Sequence, residues 1–306
     1  MSNLRQISPE AATVLQQDEQ PQDLIAAPRI PGIADIAVHV DGSARDEDKI
    51  RYAEALAVAA GAHLSIFFGN EIISSPLTSP GSEWVIAEVW KQAAVVGNEI
   101  EERLKQRLAL VEPTTDLRRN DAILSELILA AARSARVCDL FVCGRPYGTE
   151  RHWPEIVEAV LFDESAPVLI VPPSFQDHTP PATVVVGWRD TAECAHAITA
   201  ALPFLKAAEH VHLASIADSS TSDEEQHREP MADMARHLAR HGVEVEIRHL
   251  PHWDRPGEGL INEAKLLGAD LIVAGAYGHT RFREWILGGA TRELLTDSPV
   301  PLLLCH

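Results

Sequence analysis

CDLFVCGRPYG, residues 138–148, and ADLIVAGAYG, residues 269–278, are two versions of one segment. Each carries an aspartate at its second position, runs through apolar residues to a glycine, and ends in Tyr-Gly; the first copy holds one residue more. A short apolar run closed by glycine reads as a fully buried strand. Further on, APVLIVPP (166–173) corresponds to VPLLLCH (300–306). The same pair of strands at the end of each half marks a chain of 306 residues as a duplication, within the two domains that this length suggests.

Upstream of each pair the order also repeats. In the first half, strands are expected at 35–40, 63–68 and weakly near Leu117. Between them lie helices with apolar faces at Ala53, Leu56, Ala57 and Ala60, at Ile86 through Leu104, and at Ile123 through Ala131. Gly61 stands where the first helix should stop. In the second half, strands are expected at 183–187 and 211–217, and helices around Cys194–Leu205, Met231–Leu238 and Leu260–Leu267. Val243, Val245 and Ile247 alternate with Glu244, Glu246 and Arg248, the pattern of an edge strand with one wet face. Residues 218–229 read as a polar loop. Strands alternating with helices imply parallel sheets with right-handed crossovers, so the fold class is α/β, in two copies of one five-stranded domain. The boundaries read as a flexible extension over 1–32, a first domain over 33–173, a Pro-rich linker over 174–181 and a second domain over 182–306.

Composition narrows the partners. Twenty-six Lys and Arg face 45 Asp and Glu, a net charge of −19. Such a surface repels phosphate backbones and anionic lipid, which argues against nucleic acid and membrane as partners. No apolar run reaches the length of a membrane span, and the polar, Gln-rich N-terminus has no hydrophobic core of a signal. Four cysteines without a CxxC pair read as reduced thiols of a cytoplasmic protein rather than a zinc site. HExxH, GxSxG, GxxxxGK[ST], SGGxDS and HIGH are all missing from the chain, so no hydrolase triad, P-loop or nucleotidyl-transferase reading has support. His210, His212 and His249 fall on neighbouring strands; they read as core histidines, and no metal is assigned to them.

Ligands of open α/β sheets bind beyond the carboxyl ends of the strands. There the second copy reads Gly275-Ala-Tyr-Gly278-His279-Thr-Arg281-Phe-Arg283-Glu-Trp-Ile-Leu-Gly288-Gly289-Ala290-Thr291. Glycines let a backbone approach phosphate closely, and the helix that follows offers unpaired N–H groups at its positive end. This run resembles the universal stress protein family, whose nucleotide-binding members carry G-x2-G-x9-G-[ST] after the fourth strand. The match is Gly275, Gly278 and Gly288, with Gly289 in place of Ser or Thr, and the resemblance extends over about residues 33–306. It implies a tandem member with two doubly wound sheets of strand order 3-2-1-4-5. Their fifth strands, 168–171 and 300–304, should lie at sheet edges and cover each other, packing the halves as a pseudo-dimer. It further implies a stress-response regulator binding ATP or AMP, with or without Mg2+. The site would comprise Gly187, Trp188, Arg189, Ala214, Ser215, Ile216, Gly275, Gly278, His279, Arg281, Gly288, Gly289, Ala290 and Thr291.

The copies differ at the site. Asp41-Gly42-Ser43 follows the first strand of the first copy, as in the family; the second has Arg189-Asp190-Thr191, an arginine where the aspartate stands. Arg189 reads equally as a phosphate partner or as one of a solvated carboxylate, and Trp188 as an adenine platform or a core residue. Asp41 reads as a turn or cap residue. In the first copy the phosphate loop is replaced by TERHWPEIVEAVLFDES, three residues shorter and bearing Glu150, Glu155, Glu158, Asp163 and Glu164. These carboxylates would repel phosphate, so binding is expected in the C-terminal half alone. No general base stands out, which favours a regulatory binder over an enzyme. A non-binding interaction scaffold and a slow ATPase are the alternatives; the partners expected are an adenine nucleotide, a protein, and a second copy in a homodimer.

Overall fold

The computed structural model describes residues 30–73, 83–147, 153–164, 166–217, 224–276 and 289–306. In the first half, β1 (Asp35–Val40), α1 (Asp46–Ala60), β2 (His63–Glu71), α2 (Glu83–Leu108), β3 (Thr115–Ala122), α3 (Leu124–Ala135), β4 (Leu140–Gly144), α4 (Pro154–Glu158) and β5 (Val168–Val171) follow one another. A π-helical turn, Ala159–Asp163, extends α4. The second half repeats the order as β6 (Thr183–Gly187), α5 (Ala192–Ala207), β7 (His210–Ile216), α6 (Glu224–Arg240), β8 (Glu246–Leu250), α7 (Pro256–Leu267), β9 (Leu271–Gly275), α8 (Gly289–Asp297) and β10 (Leu302–Cys305).

Both halves have the expected strand order, and they join edge to edge. The ten strands run β3-β2-β1-β4-β5-β10-β9-β6-β7-β8 in one sheet. Pairing is parallel within each half and antiparallel at the seam, where Leu302, Leu303 and Leu304 face Ile170, Leu169 and Val168. Each fifth strand thus supplies hydrogen bonds to the other's open edge, and the liability of an apolar edge disappears.

The aspartate near the start of each repeated segment has a structural task. Asp139 Oδ2 accepts from the backbone N–H groups of Ala34 and Asp35 at 2.7 and 3.0 Å. Asp270 Oδ2 accepts from those of Ala182 and Thr183 at 3.0 and 2.8 Å. Each carboxylate satisfies two donors that the ladder leaves over at the entry of the half's first strand, pinning it beside the fourth.

Side chains alternate between two apolar layers. Leu271, Val273, Leu303 and Cys305 face the layer beneath α1, α2, α5 and α6; Ile272, Leu302 and Leu304 face the layer beneath α3, α4, α7 and α8. The first layer is continuous across the halves, since Tyr52 and Ala59 of α1 share it with Ile198 and Phe204 of α5. Ile30 and Ile33 are buried in it too, and the Ile30 N–H donates to the Ala59 carbonyl at 3.1 Å. The packed body therefore reaches back to Ile30, within the segment read as an extension; residues 1–29 fall outside the described residues. Phe175, in the linker, sets its ring edge-on to Tyr52 at 5.5 Å between centroids.

Two local expectations need correction. Residues 243–245 do not pair; β8 runs over 246–250 and sits at the sheet edge. Val243 is buried as expected, and Ile247, the register partner of the core residue Leu213, keeps the face the alternation assigns it, although the edge position leaves it 39% exposed. On the other face the Arg248 guanidinium reaches Glu263 Oε1, a buried carboxylate, at 2.9 Å. Likewise α6 begins at Glu224, inside the stretch read as a loop, and carries Pro230 within it.

Candidate functional site

Beyond the carboxyl ends of β6, β7 and β9 the second half encloses a cavity of about 330 Å3. Its walls come from four places in the chain. Gly187, Trp188 and Arg189 leave β6, and the Trp188 N–H donates to the Ala214 carbonyl at 2.7 Å, prolonging the ladder by one residue. Thr191 then turns the chain into α5, its hydroxyl accepting from the Cys194 N–H at 3.4 Å as an N-cap. Ala214, Ser215 and Ile216 end β7; Gly275 ends β9; Gly289, Ala290 and Thr291 open α8. The cavity thus gathers ten of the fourteen residues singled out from the sequence. The other four, Gly278, His279, Arg281 and Gly288, lie outside the described residues, as does Arg283. Trp188 serves both alternatives at once, being 9% exposed within the apolar layer while also lining the cavity.

Sequence reasoning missed a further wall, His252, Trp253, Pro256 and Leu260. It is held by local bonds. His252 Nδ1 lies 3.1 Å from the Ala217 carbonyl oxygen, and the Ala217 N–H donates to the Leu250 carbonyl at 3.1 Å. Trp253 lies so close to α7 that a Cβ on Gly259 would be 2.9 Å from its Cγ. The α7–α8 junction is tied by Glu293, whose Oε2 accepts from the Gly257 N–H at 2.8 Å and whose Oε1 faces Arg255 Nε at 3.3 Å. The only cue in the sequence is HW followed by PGEG, and nothing in its spacing places it beside the glycines of β9.

The corresponding place in the first half is filled. There a space of about 20 Å3 remains among His39, Asp41, Arg45, Lys49, Arg145 and Trp153. Trp153 occupies it from a left-handed backbone conformation, φ +54°, just before Pro154 opens α4. Its Nε1 donates to Asp41 Oδ2 at 2.8 Å, and its ring meets His39 edge-on at 5.4 Å. Asp41 Oδ1 accepts from the Ser43 N–H at 3.0 Å, the turn role expected of it. Burial pushes the Asp41 carboxyl up, but the Lys49 ammonium, the indole and Ser43 together hold it well below the usual carboxylate range. Two of the carboxylates read as phosphate-repelling are engaged locally. Glu158 accepts from the Tyr147 hydroxyl at 2.5 Å, and Glu164 holds Arg136 by two bonds of 2.5 and 2.6 Å. Indole volume, rather than negative charge, closes this half.

His212 and His249 do not meet. His212 is the register partner of Glu246 and Ser215 that of His249, so the two imidazoles stand three positions apart on opposite faces of the sheet. Among the described residues no three His, Cys, Asp or Glu side chains come together as metal ligands.

The family model for the universal stress protein family matches residues 177–306. The match spans the whole of the C-terminal half. A universal stress protein from Archaeoglobus fulgidus superposes on the whole chain with a TM-score of 0.67 at 15% identity, covering 89% of this chain and 97% of the other. A putative universal stress protein from Pseudomonas aeruginosa gives 0.55 at 16% identity, covering 90% and 93%. At these identities the likeness is one of fold, and it takes in both halves: the N-terminal half is built like a universal stress protein domain although the family model does not extend to it. Comparison with curated proteins finds no match. Among the described residues no helix is long and apolar enough to cross a membrane.

Proposed function

We propose that the chain is a cytoplasmic stress-response regulator whose C-terminal half binds one adenine nucleotide, ATP or AMP, as a structural ligand rather than a substrate. The observation that carries this reading is the contrast between a cavity of about 330 Å3 in one half and a space of about 20 Å3 in the other. The larger volume falls within the range of small-molecule sites. Trp188, Ile216, Trp253 and Leu260 give it apolar walls suited to a purine. The first turn of α8 points its backbone N–H groups and a positive dipole end toward where phosphate would sit, beside the exposed Arg189. The four thiols, none in a disulfide, fit a reducing compartment.

Phosphoryl transfer calls for an in-line water and for a metal held by carboxylate or hydroxyl. No carboxylate is found among the described residues lining the cavity, where Arg189 stands in the aspartate's place. Bound nucleotide then acts by linkage, stabilising the native state by RT ln(1 + [L]/Kd), about 2.7 kcal/mol at a hundredfold excess over Kd. Calorimetric titration of the full chain with ATP, run beside a thermal-shift series and a multiple-turnover assay with Mg2+, tests the reading. One nucleotide per chain with a rising Tm and no turnover is expected. Two per chain, or sustained hydrolysis, would overturn it, and no binding at millimolar ATP would leave the scaffold.

A further inference from the structure

Two of the four cysteines converge on one glycine. A Cβ placed on Gly275 would lie 2.6 Å from the backbone nitrogen of Cys194 and 3.0 Å from its Cα, so the first turn of α5 rests directly on the end of β9. Cys305, in β10, is the register partner of Gly275. Cys305 faces the apolar layer beneath α5, whereas its neighbour Leu304 faces the other, and Cys194 packs against that same layer beneath α5. A helix Cα resting about 4.5 Å above Gly275 and a strand Cα about 4.8 Å beside it stand roughly 6–7 Å apart, around the upper end of the Cα separations that disulfides span. The contact continues two residues on, where His196 Nδ1 lies 3.3 Å from the His306 carbonyl oxygen.

The two thiols differ in access. Cys194 is half-buried and lines the cavity, whereas Cys305 is 6% exposed. A small oxidant entering the cavity therefore meets Cys194 first. We propose that Cys194 and Cys305 form a peroxide-sensitive thiol pair, converted to an intramolecular disulfide that staples α5 to β10. The Cys194 thiolate attacks the O–O bond of a hydroperoxide; the bond breaks, Cys194 becomes a sulfenic acid, and the departing oxygen leaves as hydroxide or alkoxide and takes up a proton. The Cys305 sulfur then attacks the sulfenic sulfur, the S–S bond forms, and the displaced hydroxide leaves as water with the Cys305 proton. Two electrons pass from the thiols to the peroxide.

The chemistry suits the assignment of roles. Burial pushes the Cys305 thiol up, which keeps it protonated and slow toward peroxide itself. Burial likewise pushes Cys138 and Cys143 up to about 12, and both belong to the layer on the other face of the sheet. The pair rests on the packing of α5 against β9 and β10 and holds whatever the cavity binds.

Full-length protein is treated with hydrogen peroxide, its remaining thiols are alkylated, and the digest is mapped by mass spectrometry. Free thiols should fall from four to two, with a linked Cys194–Cys305 peptide that a dithiol reductant dissolves. In Cys305→Ala, Cys194 should instead accumulate as the sulfenic acid and be trapped by a 1,3-diketone. Unreacted thiols, an oxyacid at Cys194 without a linked peptide in the natural protein, or a link through Cys138 or Cys143 would each overturn the proposal, and the first measurement needs no variant.

Discussion

Gly187 and Gly275 close neighbouring strands at the rim of one cavity, yet alanine should be felt very differently at the two. A Cβ on Gly187 would lie 2.7 Å from Leu260 Cδ1 and 3.5 Å from Cδ2. Those are the tips of a flexible side chain that borders open space of about 330 Å3 and can turn into it. A Cβ on Gly275 would meet backbone only: Cys194 N at 2.6 Å, Glu193 C at 2.7 Å and Cys194 Cα at 3.0 Å. That is nearly 1 Å inside the ~3.5 Å of favourable contact, so the whole first turn of α5 must lift. Overpacking of this kind costs about 1–3 kcal/mol, against which Gly→Ala recovers about 0.4–1 kcal/mol by restricting the unfolded chain. Gly275→Ala should therefore destabilise by about 1–2 kcal/mol and Gly187→Ala stay within about 0.5 kcal/mol of the natural protein. Neither glycine has a positive φ, so backbone strain does not enter. Urea unfolding of the full chain reads the difference as a shift in midpoint at constant m. A Gly187→Ala loss equal to or above that of Gly275→Ala would refute the reasoning, because the two differ only in what the new methyl strikes.

Gly289→Ser restores the hydroxyl of the family motif, and a Cβ there meets only Glu293 Oε1, at 3.7 Å; ATP affinity should rise about fivefold, near 1 kcal/mol, and an unchanged titration would remove the start of α8 from the phosphate site. Asp41→Asn keeps an acceptor for Trp153 but removes the charge facing Lys49. Because the folded carboxyl lies below its unfolded value, its stabilisation is present above about pH 4 and is lost as pH falls through the folded value. The variant should thus unfold at lower urea near pH 7 and approach the natural protein near pH 3; a gap that widens in acid would contradict the sign. Residues 182–306 expressed alone would bare the β10 edge and the face of α5 that Tyr52 and Ala59 share. Light scattering should find a dimer or larger species, and a stable monomer would show that the shared layer matters little.

What the sequence made legible was whatever hydropathy and repetition encode. β1 and β6 begin and end where the apolar runs do, and the duplicated segment around Asp139 and Asp270 announced two like halves, whose strand order and seam the family resemblance implied. Contacts set by single side chains were hidden. Arg248 and Glu263 form an ion pair across 15 residues that no local pattern announces. His252 and Trp253 follow a strand whose limits were misread, so their approach to the cavity was out of sight. In the first half charge was the only signal the sequence offered, and the filling of the space by Trp153, set 112 residues from the Asp41 it binds, was out of reach.

The antiparallel seam has a consequence for how the two halves can diverge. Since every pairing within a half is parallel, turning one half over at β5 and β10 sends its strand ends to the far side of the molecule. The open cavity and the filled one therefore look in opposite directions, and none of the described residues lines both. Had the copies been aligned alike, one bulky substitution could have crowded its sibling's ligand, and the pair would have been obliged to change together. Back to back, each is insulated from the other's accidents: a tryptophan can settle into one vestibule and harden it into plain scaffolding while the opposite doorway keeps its dimensions.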